Sequence, residues 1–252
     1  MKRTMLTGAL TALALAGVIG ASAPASAAEP LVDPKGIPGE FSANVAVVSE
    51  YFFRGISQTD DSPALQGGMD YSIELARPVS AYIGVWGSNV DFNDGSEATL
   101  ELDYYAGFNG AIGSTGLTWD AGFIYYTYPG ADSGLNYDFW EVQGQLGYDF
   151  GVANVTASIN HSPENFGDSG DATYYKLAFG LPLGKVDLGA YVAKQFIDDE
   201  AAFGSPDYLE WNISASINLA GFDLSVAYTD TDITGSPDGK DGMVYFTVGR
   251  SF

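Results

Sequence analysis

Leu100-Glu101-Leu102-Asp103-Tyr104-Tyr105-Ala106-Gly107-Phe108-Asn109 alternates with a period of two. Leu100, Leu102, Tyr104, Ala106 and Phe108 project to one side, and Glu101, Asp103, Tyr105, Gly107 and Asn109 to the other. Successive side chains alternate in this way on an extended strand, so the segment reads as a strand with one apolar and one polar face. Residues 209–219 repeat the pattern: Leu209, Trp211, Ile213, Ala215, Ile217 and Leu219 oppose Glu210, Asn212, Ser214, Ser216 and Asn218. Each run has about ten residues, the length a tilted strand needs to cross a bilayer.

Working outward from these two runs, strands are expected near 41–53, 64–74, 80–89, 98–109, 117–128, 138–149, 153–162, 172–182, 186–196, 208–219, 222–230 and 243–252. In 80–89 the facing is ambiguous, because Ile83 and Val85 compete with Tyr82 and Trp86 for the outer side. Connections near 75–79, 150–152, 183–185 and 220–221 are short, and 110–116 is a little longer. Those near 54–63, 90–97, 129–137, 163–171, 197–207 and 231–242 are long and rich in Asp, Gly, Ser and Pro. Outer-membrane barrels have short periplasmic turns and long extracellular loops, so the sequence predicts an all-β fold, a single antiparallel transmembrane barrel of about twelve strands. A soluble β-sandwich shows similar alternation. Alternating connection lengths, Tyr and Trp near the strand ends, and the last strand, Val244 to Phe252, favour the barrel.

Composition agrees. Hydrophobic residues make up 46% of the 252, aromatics 14% and charged residues only 17%, with 32 glycines. Soluble domains have about a quarter of their residues charged. After the N-terminus there is no apolar run of the roughly 18–20 residues a spanning helix needs. The N-terminus has Lys2 and Arg3, an apolar stretch from Met5 to Ile19, and the small-residue site Ala25-Ser26-Ala27. That is a secretory signal peptide over 1–27. Residues 28–40, with Pro30, Pro34 and Pro38, read as a periplasmic lead-in, and 41–252 as the barrel in the cell outer membrane. A formal net charge of −22 argues against nucleic acid as a partner. Cysteine is absent, which removes disulfides and thiolate zinc sites.

One stretch is more specific. Val48-Ser49-Glu50-Tyr51-Phe52-Phe53-Arg54-Gly55-Ile56-Ser57-Gln58-Thr59 is followed by Pro63-Ala64-Leu65-Gln66-Gly67-Gly68-Met69-Asp70-Tyr71, and later by Gly84-Val85-Trp86-Gly87-Ser88. These segments resemble the TorF family of proteobacterial porin-like proteins of unknown function. The resemblance implies one barrel in the outer membrane and a pore, and supplies no catalytic residue. Read on its own, the motif places Glu50, Phe52 and Arg54 on the inner face of the first strand, opposite Val47, Tyr51 and Phe53. Gln66, Asp70 and Glu74 take the inner face of the second. An arginine facing acids across a narrow lumen fits either a selectivity constriction or a structural plug.

Catalysis finds no support. His161 is the single histidine, and it neighbours Ser162 on a strand, where adjacent residues face opposite sides. Asp60-Asp61 and Asp198-Asp199 are ordinary acidic loop pairs. No cofactor motif occurs. Asp91-Phe92-Asn93-Asp94-Gly95 and Asp230-Thr231-Asp232 allow weak divalent-cation binding at the surface but lack a full calcium-loop pattern. The expected lumen and selectivity residues are Glu50, Arg54, Gln66, Asp70, Glu74, Glu101, Asp103, Asp120, Glu141, Lys176 and Glu210. The terminal Phe252 is the expected membrane-insertion signal. The partners expected are the lipid bilayer and lipopolysaccharide, the barrel-assembly machinery, and small solutes or cations. Two functions compete. Small inward residues such as Ser42, Asn44, Gly107, Gly122 and Ser214 fit a narrow channel. Large ones such as Phe52, Tyr105, Tyr126, Tyr128, Phe139 and Tyr191 fit a closed barrel that acts through its acidic loops.

Overall fold

The computed structural model of the chain describes residues 38–234 and 242–252. The expected signal peptide, residues 28–37 of the lead-in, and residues 235–241 of the last long loop lie outside the described residues. In chain order the strands are β1 (Glu40–Val48), β2 (Phe52–Phe53), β3 (Ile56–Ser57), β4 (Ala64–Ala76), β5 (Val79–Asn89), β6 (Leu100–Ala111) and β7 (Leu117–Thr127). They continue as β8 (Phe139–Asp149), β9 (Asn154–Ser162), β10 (Ala172–Leu183), β11 (Val186–Ile197), β12 (Tyr208–Leu219), β13 (Phe222–Thr231) and β14 (Met243–Ser251). All except β2 and β3 form one closed antiparallel barrel in which β1 seals against β14. Closure removes the free edges that an open sheet would expose. No described helix is long and apolar enough to cross a membrane.

The alternation read from the sequence becomes the two faces of the wall. Leu65, Met69, Ile83, Phe108, Leu146, Ile213 and Phe246 lie exposed on the outer face. A continuous apolar belt of this kind needs lipid to cover it. Aromatic residues border it at both ends: Tyr125, Trp140, Tyr175 and Trp211 towards the long loops, and Phe41, Tyr148, Phe150 and Phe222 towards the short turns. The ambiguity in β5 resolves in one direction. Ile83 is 58% exposed, while Tyr82 and Trp86, at 7% and 5%, point inward. Glycine decides the matter, because Tyr82 needs space inside: its hydroxyl lies where a Cβ on Gly107 or Gly122 would sit.

One expected element is corrected. The first strand does not run to residue 53 but ends at Val48. After Ser49, whose N–H donates to the Phe246 carbonyl of β14 at 2.9 Å, the chain leaves the wall, and β2 and β3 form a small separate hairpin. The expectation that Tyr51 and Phe53 face outward therefore fails. Tyr51 is buried, and Phe53 packs against the interior aromatic cluster. The physical reason lies in Tyr51-Phe52-Phe53, three consecutive aromatics. An alternating strand would present some of them to the polar side, whereas a hairpin packed inside the barrel buries them together.

Phe252 closes the seam. Its N–H donates to the Ala43 carbonyl at 2.8 Å, and its own carbonyl accepts from Ala43 N–H at 3.2 Å. Arg250, on the outer face beside it, lies over the Phe222 and Phe252 rings at 5.5 and 5.2 Å, a position from which it can snorkel to the interface. Deleting Phe252 removes both backbone bonds, each worth about 0.5–1.5 kcal/mol. The expected result is a smaller folded fraction, read as loss of the heat-modifiable gel shift. An unchanged folded fraction would count against any role for this residue in closure.

Candidate functional site

The hairpin turns at Arg54-Gly55. Both residues are left-handed, with φ of 49° and 77°, and Phe53 pairs with Ile56 across them. A two-residue turn with two positive φ angles normally carries Asn-Gly or Asp-Gly. Arginine at the first position is strained by about 1–2 kcal/mol. Its surroundings offset that cost.

Arg54 Nη2 lies 2.7 Å from both carboxylate oxygens of Glu141 on β8. Nη1 donates to Gln195 Oε1 on β11 at 3.0 Å. The guanidinium carbon sits 4.4 Å from the Tyr174 ring centroid on β10 and 4.8 Å from that of Phe53. The Arg54 carbonyl accepts from Tyr208 Oη on β12 at 3.0 Å. These partners come from the inner faces of four wall strands, so the hairpin tip spans the lumen. Gly55 fits because nothing larger would: a Cβ there would lie 2.6 Å from Thr231 Cγ2 and 2.9 Å from Glu210 Oε2. Phe52 packs on Tyr245, Phe53 on Tyr126, and Tyr51 edge-on against Trp86. Arg54 thus does not occupy the inner face of the first strand, as expected, but the tip of a hairpin docked inside the barrel.

The other expected lumen residues fall into three groups. Glu101, Asp103, Glu141 and Glu210 are buried close to the hairpin, with Glu50 buried at the hairpin base. Asp70, Asp120, Gln66 and Lys176 also face inward. Lys176 Nζ lies 5.3 Å from the Tyr191 ring, and Gln66 Nε2 is 3.4 Å from Ser88 Oγ. Glu74 stands apart: it is exposed at the short-turn end, where Arg77 Nε lies 3.1 Å from both its oxygens.

What the sequence reading missed is how the acids are paired. A tyrosine hydroxyl meets each of five carboxylates. Tyr51 donates to Glu101 at 2.9 Å, Tyr82 to Asp120 at 2.9 Å, Tyr105 to Asp70 at 2.6 Å and Tyr126 to Glu141 at 3.3 Å. Tyr174 donates to Glu210. A phenol supplies a hydrogen bond without supplying a positive charge, so a tyrosine holds an acid without neutralising it; of the five, Glu141 alone is also ion-paired among the described residues, to Arg54. Glu101 Oε2 and Asp103 Oδ1 are buried and accept no hydrogen bond. Glycines make room for the rings: a Cβ on Gly84 would lie 2.4 Å from the Tyr105 ring, and one on Gly107 2.4 Å from Tyr82 Oη. Gly107 and Gly122, read from the sequence as open space in a pore, are therefore filled by a neighbour's side chain. The available signal was the inward parity of Tyr105, Tyr126 and Tyr174; for Tyr82 the sequence left the facing open.

Above the hairpin the long loops are tied together. Phe92 lies 5.5, 5.7 and 5.7 Å from the rings of Tyr128, Tyr137 and Phe166, and Tyr137 stacks on Phe166 at 4.1 Å. Gln58 in the hairpin segment accepts from Asp91 N–H at 2.8 Å. Burial pushes the Tyr137 phenol up to about 12, helped by the Asp94 carboxylate to which it donates. His161 faces outward, its Nδ1 3.0 Å from Thr173 Oγ1, while Ser162 is buried on the other side and donates to the Glu164 carbonyl. No group of three or more potential metal ligands occurs among the described residues.

Solved structures share the barrel. The NanC porin is 10% identical, with 84% of this chain and 98% of that chain covered and a TM-score of 0.53. The outer membrane phospholipase (OMPLA) of Salmonella typhi, a dimer with bound calcium, is 9% identical, with 88% and 93% covered and a TM-score of 0.54. A channel and an enzyme are alike at this level, so the likeness speaks for the fold alone. The chain spans 62% of a porin solved at 1.8 Å, at 20% identity and a TM-score of 0.43. No curated protein matches the sequence. Residues 34–252 match the family Gcw_chp, described as a bacterial protein of unknown function, and the chain belongs to that family.

Proposed function

We propose that this protein is a narrow, cation-preferring channel of the outer membrane for small solutes, constricted at rest by its own hairpin. The observation that carries the reading is the charge of the lumen. Asp70, Glu101, Asp103, Asp120, Glu141 and Glu210 line it, bonded largely to neutral tyrosines, against Arg54 and Lys176. Acids confined between low-dielectric walls focus the field and concentrate cations. The apolar belt and aromatic borders support a place in the outer membrane, with lipid and lipopolysaccharide around the wall and the barrel-assembly machinery acting on its last strand. The resemblance of residues 48–71 to the TorF family supports a pore.

Reversal potential across a salt gradient tests the selectivity. The expected sign is that of cation preference. Glu101→Gln with Asp103→Asn should reduce it, and Arg54→Ala should increase it, because lumen charges tune selectivity in barrels. An anion-selective sign would defeat the proposal.

A second reading is favoured by the docked hairpin and by the aromatic cluster across the loops. It is a permanently closed barrel that works through its acidic outer surface. Absence of conductance once the hairpin has been removed would select this reading over the channel.

A further inference from the structure

The hairpin brings an arginine to a place the wall has already equipped for one. Glu141 presents both carboxylate oxygens to a single guanidinium nitrogen, Gln195 offers an amide oxygen to the other, and Tyr174 offers a ring face. Glu141 is itself held by Tyr126 Oη at 3.3 Å and Asn160 Nδ2 at 3.0 Å, so its orientation does not depend on the hairpin. All these groups belong to barrel strands. Arg54 alone comes from outside the wall, on a strained turn whose local preference is for another residue. A planar cation that must donate in two directions and stack on a ring is a guanidinium, and an ammonium meets only part of that demand.

We propose that this cage is a binding site for small guanidinium-bearing cations, and that Arg54 occupies it as an internal stand-in for the solute. The inference rests on the channel reading for its purpose, and on the cage alone for its chemistry. The unpaired buried oxygens of Glu101 and Asp103 in the same lumen favour solutes with further positive charge and disfavour a free carboxylate. A guanidinium solute that enters the lumen competes with Arg54 for Glu141 and shifts the hairpin towards release.

The test uses the full chain carrying Arg54→Ala, purified in detergent, with methylguanidinium as the probe and methylammonium as the control. Methylguanidinium should raise the unfolding temperature of this variant with a half-saturating concentration about tenfold below that of methylammonium, a difference of about 1.4 kcal/mol. Wild type, with its cage filled, should respond far less, and Arg54→Ala combined with Glu141→Gln should lose the response. If Arg54→Ala does not fold, a chain in which Asn-Gly replaces residues 49–63 presents the same empty cage. Equal response to the two probes, or a response that survives Glu141→Gln, overturns the proposal. Conductance of the same variants separates the two readings. Conduction without guanidinium binding removes the site and leaves the channel. Binding without conduction removes the channel and leaves the site.

Discussion

Replacing residues 49–63 by Asn-Gly should raise single-channel conductance in a planar bilayer by roughly an order of magnitude or more, because a barrel of this strand number has room for a narrow lumen once its filling is taken out. The replacement is geometrically mild. Val48 and Ala64 are register partners on neighbouring strands, so a two-residue turn can join β1 directly to β4. The wall ladders lose only the two bonds between Ser49 and Phe246 at the end of the β1–β14 seam, and heat-modifiable mobility should confirm that the barrel still closes. What disappears is the tip held by Glu141, Gln195 and Tyr208, together with Phe52 and Phe53 against Tyr245 and Tyr126. A folded, bilayer-inserted variant whose conductance stays at the wild-type level would show that the tyrosine-lined wall itself is the barrier.

The second large effect is expected from Glu141→Gln. The Arg54 side chain is 9% exposed and the Glu141 side chain 1%. Breaking a buried pair by removing one partner costs about 3–5 kcal/mol, because the remaining charge is left without compensation. The barrel need not unfold to relieve this cost, since the hairpin can swing out and let Arg54 reach water. The undocked population should then rise by about two to four orders of magnitude, the factor that 3–5 kcal/mol represents, up to the limit set by the hairpin's aromatic packing. Proteolysis reports that population when opening and closing are fast relative to cleavage. A trypsin-like protease added from outside should cut after Arg54 in the variant much faster than in wild type, as fragment masses would show. Arg54→Ala with Glu141→Gln separates charge from packing; because that variant has no basic residue in 49–63, it is compared with Glu141→Gln using a chymotrypsin-like protease, which cuts after Phe52 or Phe53, and its cleavage should fall back as the hairpin docks again through its aromatics. Equal cleavage of wild type and Glu141→Gln would mean that the ion pair does not hold the hairpin.

Much of the molecule was legible without the structure. Alternation over 100–109 and 209–219, strand lengths of about ten residues and the long-short rhythm of connections determined the wall, its two faces and the gathering of the long loops at one end of the barrel. This works because a period of two is a local property, and closure requires every strand to obey it. Inward placement of Glu101, Asp103, Glu141 and Glu210 followed from the same parity. The path of residues 49–63 did not follow, because Glu50 and Arg54 satisfy the alternation of a longer strand as well as they satisfy a hairpin. Only the partners distinguish the two, and they are distant in the chain: Arg54 meets Glu141 across 87 residues and Gln195 across 141. Tertiary structure also decided which tyrosine serves which acid, as with Tyr51 and Glu101 or Tyr82 and Asp120, 50 and 38 residues apart. Such pairs depend on the stagger of the closed barrel, which sets the height at which each side chain enters the lumen, and no single strand encodes that stagger.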